Sequence, residues 1–158
     1  MFARFPEPGR TRTRLAGSIG HQQAADLYAC FVEDPIGRTD DLADQQWITV
    51  TPDDRPSLQW FENVRETHGG ARCTLMTQPE GDLGKRIAWF FRQLAQQNGG
   101  AAVLIGTDSP DLPTSRIVQA FEFLNDGSAD TVIAPGAHGG YVLVGMNGER
   151  RNLFDAVR

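Results

Sequence analysis

"AAVLIGTDSPDLPTSRIVQAFEFLND", residues 101–126, holds an apolar run, a polar turn and a helical pattern in direct succession. The continuous apolar character of residues 101–106 is typical of a strand that is covered on both faces. Residues 114–126 carry apolar side chains at helical spacing and therefore predict a helix. A strand that leads through a short turn into a helix is the repeating unit of α/β proteins.

The same alternation of strands and helices extends in both directions along the chain. Further strands are predicted at 1–5, 46–50, 72–77, 130–135 and 140–146, and further helices at 20–34, 57–64 and 81–100. This order predicts an α/β fold with a mostly parallel sheet, in a single domain that covers residues 1–158. A short glycine-rich link separates the last two strands, so they either form an antiparallel hairpin or lie in different parts of the sheet.

Helix boundaries and buried faces also follow from the pattern. We expect the helix at 20–34 to end at Asp34–Pro35 and the helix at 57–64 to be capped by Ser57. Asn98, Gly99 and Gly100 predict the end of the helix at 81–100. The residues expected on the buried side of that helix are Leu83, Ile87, Phe90, Phe91 and Leu94.

Composition is that of a soluble globular protein, with 40% hydrophobic residues and 22% charged residues in 158. No apolar run approaches the roughly 20 residues that cross a bilayer, and the N-terminus lacks the apolar core of a signal peptide. Cys30 and Cys73 lie far apart and are expected to be buried, reduced thiols. These features predict a cytoplasmic location.

Positive charge is concentrated at the N-terminus. Residues 1–14 hold four arginines and one glutamate, whereas the whole chain has a net charge of −5. A protein that grips nucleic acid would present a wider basic face, so nucleic acid is not the expected partner. A local basic loop on an acidic protein fits a small anionic ligand better.

"RFPEPGRTRTRL", residues 4–15, contains that basic loop. Alternate residues of an extended segment point the same way, so Arg10, Arg12 and Arg14 would project together. Guanidinium groups form bidentate hydrogen bonds with phosphate, and Gly9 permits a tight turn. The alternative, a solvated basic loop, has equal support from this stretch alone.

Asp108 follows closely after the strand at 101–106, where open α/β sheets bind their ligands. A carboxylate at this position can offer a hard oxygen to Mg²⁺ or Mn²⁺, which in turn bridges a diphosphate. The alternative is a turn or helix cap, for which Asp, Ser and Pro are common residues. The residues alone favour that alternative.

Two glycine-containing stretches complete the set of candidates. "QPEGDLGKR", residues 78–86, places Gly81 and Asp82 at a helix start whose N–H groups can meet an anion, although a capped helix start is favoured. "PGAHGGYVLVG", residues 135–145, places His138 before two glycines that allow close approach to a ligand, although a lone loop histidine that is simply part of the polar surface is favoured. Neither a P-loop nor a G-x-G-x-x-G dinucleotide motif is present.

Five segments taken in order resemble a bacterial family, DUF2064, over nearly the whole chain. They are "FARFPEPGRTRTRLA" (2–16), "AADLYACFVED" (24–34), "QPEGDLGKRI" (78–87), "LIGTDSPDLP" (104–113) and "APGAHGGYVLVGM" (134–146). That family is described as glycosyltransferase-like, with a nucleotide-diphospho-sugar transferase (GT-A-like) fold. The resemblance implies a three-layer, Rossmann-like fold with a mostly parallel central sheet, shortened at both ends.

The resemblance also implies roles for individual residues. Asp108 becomes the expected metal ligand and catalytic residue, with Mg²⁺ or Mn²⁺ as cofactor. Expected nucleotide and phosphate contacts are Gly9, Arg10, Arg12, Arg14, Gly81 and Asp82, and the expected substrate side is His138, Gly139, Gly140 and Tyr141. Family members have aspartate where this chain has His138, and an imidazole suits Mg²⁺ poorly.

The function implied by the resemblance is a metal-dependent transferase that uses a nucleotide sugar or a nucleoside triphosphate. One alternative is a non-catalytic nucleotide-binding or interaction protein that is degenerate at the metal site. A second is a nucleotidyltransferase similar to the cofactor guanylyltransferases. The expected partner is a nucleotide or nucleotide-sugar ligand, with a second copy of the chain also left open.

Overall fold

A computed structural model describes residues 1–97, 100–136 and 139–148 of the chain. Its strands are β1 (Phe2–Arg4), β2 (Gln46–Thr51), β3 (Cys73–Thr77), β4 (Ala101–Ile105), β5 (Thr131–Pro135) and β6 (Tyr141–Asn147). Its helices are α1 (Thr13–Ile19), α2 (His21–Arg38), α3 (Arg55–His68), α4 (Leu83–Gln97) and α5 (Thr114–Asn125). The predicted α/β class is confirmed.

The chain divides into two compact units, each with its own three-stranded sheet. The first unit combines Met1–Thr77 with the short segment Gly106–Asp111. The second unit contains Gln78–Ile105 and the chain from Leu112 onward. The single domain over residues 1–158 stays a prediction.

The sheet of the first unit is parallel, in the order β1-β2-β3. Phe2 aligns with Thr49, and Gln46 aligns with Cys73. Phe2 also forms a parallel bridge with Gly106. Because parallel strands end at the same edge of a sheet, the residues after β1 and those after Gly106 lie at one edge.

The apolar core of the first unit lies between this sheet and helices α2 and α3. Its members are Ala3, Tyr28, Val32, Ile36, Ile48, Val50, Phe61, Val64 and Cys73. Ile48 and Val50 of the central strand are fully buried, as is Phe61 of α3. Complete burial of side chains of this size contributes about 1.5–3 kcal/mol each.

Helix α2 continues through Pro35 to Arg38, so the predicted end at Asp34–Pro35 is wrong. Pro35 and Ile36 are both buried in the first unit. The Gln46 side chain donates from Nε2 to the carbonyl of Ile36 at 2.8 Å. Burial of Pro35 and Ile36 offsets the cost of a proline inside the helix, and the bond from Gln46 satisfies one of the last carbonyls of α2.

Helix α3 begins at Arg55, and its cap is Asp54 where the sequence predicted Ser57. The backbone N–H of Ser57 donates to Asp54 Oδ1 at 2.9 Å. Ser57 therefore lies within the first turn and is buried there. Aspartate is among the strongest N-cap residues, and its carboxylate satisfies one of the free N–H groups at the helix start.

The second unit has an antiparallel sheet in the order β4-β6-β5. The hairpin alternative for the last two strands is thereby confirmed, and the parallel arrangement is confined to the first sheet. At the hairpin turn, Gly139 and Gly140 have φ values of +86° and +73°. The N–H of Gly136 donates to the carbonyl of Gly140 at 3.2 Å. Both left-handed positions favour glycine.

Helix α5 packs on the second sheet, and β6 makes room for it at Gly145. A Cβ added at Gly145 would lie 3.0 Å from Leu124 Cδ1 of α5. In α4, the predicted residues Ile87, Phe90 and Phe91 are buried.

Leu83 was predicted on the buried side of α4, but it is 49% exposed, so this prediction is wrong. Leu83 is the first residue of α4, and it precedes the turns that carry the buried residues Ile87, Phe90 and Phe91. The predicted helix end at Asn98–Gly99 falls outside the described residues.

The two cysteines differ in exposure. Cys73 is buried as predicted, whereas Cys30 is exposed, which corrects the expectation for that residue. Cys30 lies two residues from both Tyr28 and Val32, so at 100° per residue it points away from the face that they bury. Among the residues described, no helix combines the length and apolar character that crossing a bilayer requires.

Candidate functional site

The basic segment at the N-terminus is folded into a turn and a helix start. The N–H groups of Arg10 and Thr11 both donate to the carbonyl of Glu7, at 3.0 Å and 3.1 Å. Arg12 then adopts a left-handed conformation with φ of +49°, and α1 begins at Thr13. The predicted extended segment with alternating arginines is therefore wrong, because local hydrogen bonds curl the chain before and after Arg12.

The three arginines of this segment have different surroundings. Arg10 is 70% exposed and pairs with Glu7 across 3.4 Å, and Arg14 is exposed in the first turn of α1. The side chain of Arg12 is 26% exposed. Arg12 is thus the arginine of the three that the fold encloses.

The guanidinium of Arg12 packs against two aromatic rings of α2. Its Cζ lies 5.3 Å from the ring centroid of Tyr28 and 5.5 Å from that of Phe31. These rings are three residues apart, so they stand on the same face of the helix. A cation within about 6 Å of a ring face is attracted by its electron density, and the rings restrict where the guanidinium can lie.

The other end of Arg12 reaches the loop that follows Gly106. Its Nη2 donates to the carbonyl of Thr107 at 3.3 Å and lies 3.0 Å from Asp108 Oδ1. The Nε atom of Arg12 is buried and has no hydrogen-bond partner among the described residues. The structure therefore brings together two residues, Arg12 and Asp108, that the sequence proposed separately.

Tyr28 connects α2 to the same loop. Its hydroxyl is hydrogen-bonded to Thr107 Oγ1 at 2.7 Å and accepts the backbone N–H of Arg4 at 3.2 Å. Both Tyr28 and Thr107 are buried. Burial raises the pKa of Tyr28, because the charged phenolate is poorly solvated there, and the hydrogen bond with Thr107 partly opposes this rise.

Asp108 is the exposed member of this group. Its side chain is 81% exposed, although the residue before it is buried. Two residues further along, the carbonyl of Pro110 accepts a hydrogen bond from Arg38 Nη2 at 3.1 Å. The loop is thus held on both sides of Asp108 while the carboxylate faces solvent. We call the group Arg12, Tyr28, Phe31, Thr107 and Asp108 the Arg12 cluster.

The donor set of the Arg12 cluster limits the kind of metal that it can hold. Within the described ranges, no three or more His, Cys, Asp or Glu side chains come together as a metal site. Mg²⁺ usually keeps several waters and binds one or two carboxylates together with ligand phosphates. Asp108 alone fits that mode and does not fit a cage built entirely from protein.

The second predicted segment, residues 78–86, forms a self-contained helix start that we call the α4 start segment. The N–H of Lys85 donates to Asp82 Oδ1 at 2.8 Å, a bond that holds the pKa of Asp82 below its usual value. Arg86 Nε donates to the carbonyl of Gly81 at 2.9 Å, and its Nη1 donates to Gln78 Oε1 at 3.3 Å. This geometry is that of a capped helix start, while phosphate binding by Gly81 and Asp82 stays a prediction.

The third predicted segment lies at the β5–β6 turn, where Gly139 and Gly140 precede Tyr141. His138 lies outside the described residues. The Tyr141 hydroxyl is buried without a hydrogen-bond partner among the described residues, and burial raises the pKa of Tyr141. A role for these residues on the substrate side stays a prediction.

Sequence reasoning missed three members of the Arg12 cluster. Tyr28 and Phe31 lie within the helix predicted at 20–34, where neither was singled out as a site residue, and Thr107 was not singled out either. One signal was present at Tyr28, since a hydroxyl on a buried helix face requires a partner. Nothing local indicated that this partner would be Thr107, 79 residues away.

The family model for DUF2064, described as an uncharacterized protein conserved in bacteria, matches residues 39–158. The chain belongs to this family. The match begins after α2, so it includes Asp108 and leaves out Arg12, Tyr28 and Phe31. No curated protein matches the chain.

Among solved structures, the chain is similar to a protein from Desulfovibrio desulfuricans G20 described as a "putative nucleotide-diphospho-sugar transferase". The two share 31% sequence identity with a TM-score of 0.85. The likeness covers 99% of this chain, including the Arg12 cluster, and 66% of the other chain. This match confirms the predicted GT-A-like fold, and the chain spans just under two thirds of the length of the solved protein.

Proposed function

We propose that this DUF2064 protein is a glycosyltransferase-like transferase that binds the diphosphate of a nucleotide sugar at the Arg12 cluster. The observation that carries the proposal is the 3.0 Å contact between Arg12 and Asp108 at the carboxyl edge of a parallel sheet. Open α/β sheets bind their ligands at this edge. The fold shared with a protein described as a nucleotide-diphospho-sugar transferase supports the choice of ligand.

Arg12 is suited to hold a phosphate group. Its guanidinium presents a rigid fork of donors, and its buried Nε has no partner among the described residues. The rings of Tyr28 and Phe31 hold the fork in place before a ligand arrives. In a transferase, negative charge develops on the departing diphosphate, and a preorganised cation next to it lowers the barrier.

Asp108 is the residue that would hold Mg²⁺ or Mn²⁺ in this proposal. Its carboxylate is exposed and is a hard oxygen ligand. When bound, the cation would supply Lewis-acid neutralisation of diphosphate charge. Arg12 would share this charge with the cation, and the exposed Arg10 and Arg14 would add a positive field around the site.

The experiment is a binding titration of nucleotide sugars with Mn²⁺, followed by heat release and by the electron paramagnetic resonance of free Mn²⁺. Asp108→Asn should weaken Mn²⁺-dependent binding at least about tenfold, since a charged ligand is replaced by a neutral one. Asp111→Asn is the matched control, because Asp111 is exposed in the same loop. Unchanged Mn²⁺-dependent binding in Asp108→Asn would contradict the proposal.

One observation favours a second function, that of a nucleotide-binding protein without catalytic activity. The described residues contain one carboxylate at the Arg12 cluster and no acidic group of three. Tight binding of a nucleotide sugar without hydrolysis or transfer would support this second function. Release of pyrophosphate from a nucleoside triphosphate would instead indicate a nucleotidyltransferase.

A further inference from the structure

We propose that Tyr28 is a positioning residue that holds both halves of the site, Arg12 through its ring and Asp108 through its hydroxyl. The inference rests on the proposed function, because it assigns a role in binding a metal-diphosphate unit. Tyr28 belongs to α2, where its ring packs against Arg12 and its hydroxyl is hydrogen-bonded to Thr107, the residue before Asp108. It acts on ligand binding through Arg12 and Asp108.

The ring and the hydroxyl of Tyr28 contact different parts of the site. The ring lies 5.3 Å from Arg12 Cζ, on the same helix face as Phe31. The hydroxyl is hydrogen-bonded to Thr107 Oγ1 at 2.7 Å, and Thr107 immediately precedes Asp108. One rigid side chain therefore sets the distance between the guanidinium and the carboxylate.

Core packing alone does not require the hydroxyl. A phenylalanine would fill the same volume in the core of the first unit, where Tyr28 is 4% exposed. A buried hydroxyl costs free energy unless it is hydrogen-bonded. Here it has two partners, the Arg4 N–H and Thr107, so it ties the end of β1 to the loop that carries Asp108. The hydroxyl joins the two chain segments from which the site is built.

The first test measures, without any ligand, how firmly the loop that carries Asp108 is held. In Tyr28→Phe the ring stays and the tie to Thr107 is lost, so amide hydrogen exchange in residues 106–109 should rise about 3- to 10-fold, the value of one hydrogen bond. Thr107→Val removes the same bond from the other end and should do the same. Thr67→Val is the matched control, since the Thr67 hydroxyl bonds only to Asn63 of its own helix.

The second test uses Mn²⁺ with inorganic pyrophosphate as the probe. Tyr28→Phe should weaken Mn²⁺ binding in the presence of pyrophosphate about 3- to 10-fold, while pyrophosphate alone binds as in the wild type. Phe31→Leu should instead weaken the binding of pyrophosphate alone, because it loosens Arg12. It should leave the added affinity for Mn²⁺ unchanged, because Thr107 stays in place. The double variant Tyr28→Phe/Thr107→Val should be no worse than the more severe single variant.

The two tests separate this proposal from the proposed function. Unchanged exchange in both Tyr28→Phe and Thr107→Val would overturn the positioning role, even if the wild type binds Mn²⁺ and pyrophosphate well. Raised exchange with unchanged Mn²⁺ affinity would overturn it too. If the wild type does not bind the probe at all, the proposed function fails, and the role of Tyr28 in ligand binding fails with it.

Discussion

The Arg12 cluster and the α4 start segment each contain residues that were predicted to bind phosphate, yet they are built in different ways. In the α4 start segment the hydrogen bonds of Asp82 and Arg86 span three to eight residues. In the Arg12 cluster, Arg12 bonds to Thr107 across 95 residues, and Tyr28 bonds to Thr107 across 79. One site is local, and the other exists only when distant segments meet.

This difference has a consequence for how a ligand would be held. Residues of the α4 start segment are mostly exposed and already bonded to one another. The Arg12 cluster combines buried supports with an exposed carboxylate, which gives a preorganised group facing solvent. Preorganisation lowers the entropy cost of binding, so we expect the Arg12 cluster to dominate affinity.

The largest expected effect comes from Arg12→Ala. Loss of a charge-assisted hydrogen bond costs about 1.5–3 kcal/mol, so the Kd for a nucleotide diphosphate should rise about 10- to 150-fold. Arg10→Ala is the matched control; it removes an exposed arginine of the same segment and should change Kd less than about threefold. Calorimetric titration of both variants measures the contrast.

Similar losses of affinity in Arg12→Ala and Arg10→Ala would contradict the special role of the Arg12 cluster. They would mean that the segment acts as a diffuse positive surface, as in the solvated-loop alternative. In that case both losses should vanish together as salt is raised, because exposed charges are screened.

An intermediate effect is expected at alkaline pH. The pKa of Tyr28 is raised in the folded protein, so the native state keeps the phenol neutral above pH 10, where the unfolded chain ionises. The stability present below pH 10 is lost as pH rises through the folded pKa, by at most about 1.4 kcal/mol per pH unit. Tyr28→Phe should remove this part of the decline, which urea unfolding between pH 9 and 11 measures.

A direct check of the same prediction is the absorbance of tyrosinate near 295 nm. The wild type should show two tyrosines, Tyr28 and Tyr141, that titrate later than in the unfolded chain, whereas Tyr28→Phe should keep only the late titration of Tyr141. Parallel stability curves for the two proteins from pH 9 to 11 would contradict a buried, bonded phenol.

The smallest effect is expected in the α4 start segment. The bond from the Lys85 N–H lowers the pKa of Asp82 in the folded protein. The stability that it contributes is present above the usual carboxyl pKa and is lost as pH falls through the lowered folded value. Asp82→Asn should remove this loss, whereas exposed Glu80→Gln should not. Carbon-13 titration of the carboxyl groups identifies the side chain responsible.

Local patterns in the sequence determined the α/β class and the element order. The apolar strand at 101–106 and the helix that follows it were predicted because strand and helix periodicities are short-range properties. The glycine turn at 139–140 and the helix start at Asp82 likewise depend on residues close in the chain. Backbone conformation and hydrogen bonds between nearby residues are enough to form these elements.

Tertiary structure alone decided which arginine is enclosed, how far α2 extends and which strands run antiparallel. Arg10, Arg12 and Arg14 are chemically alike, and only the approach of α2 and the 106–111 loop distinguishes Arg12. Pro35 stays helical because Pro35 and Ile36 are both buried in the first unit. In each case the deciding free energy comes from contacts between segments distant in sequence, which no local pattern encodes.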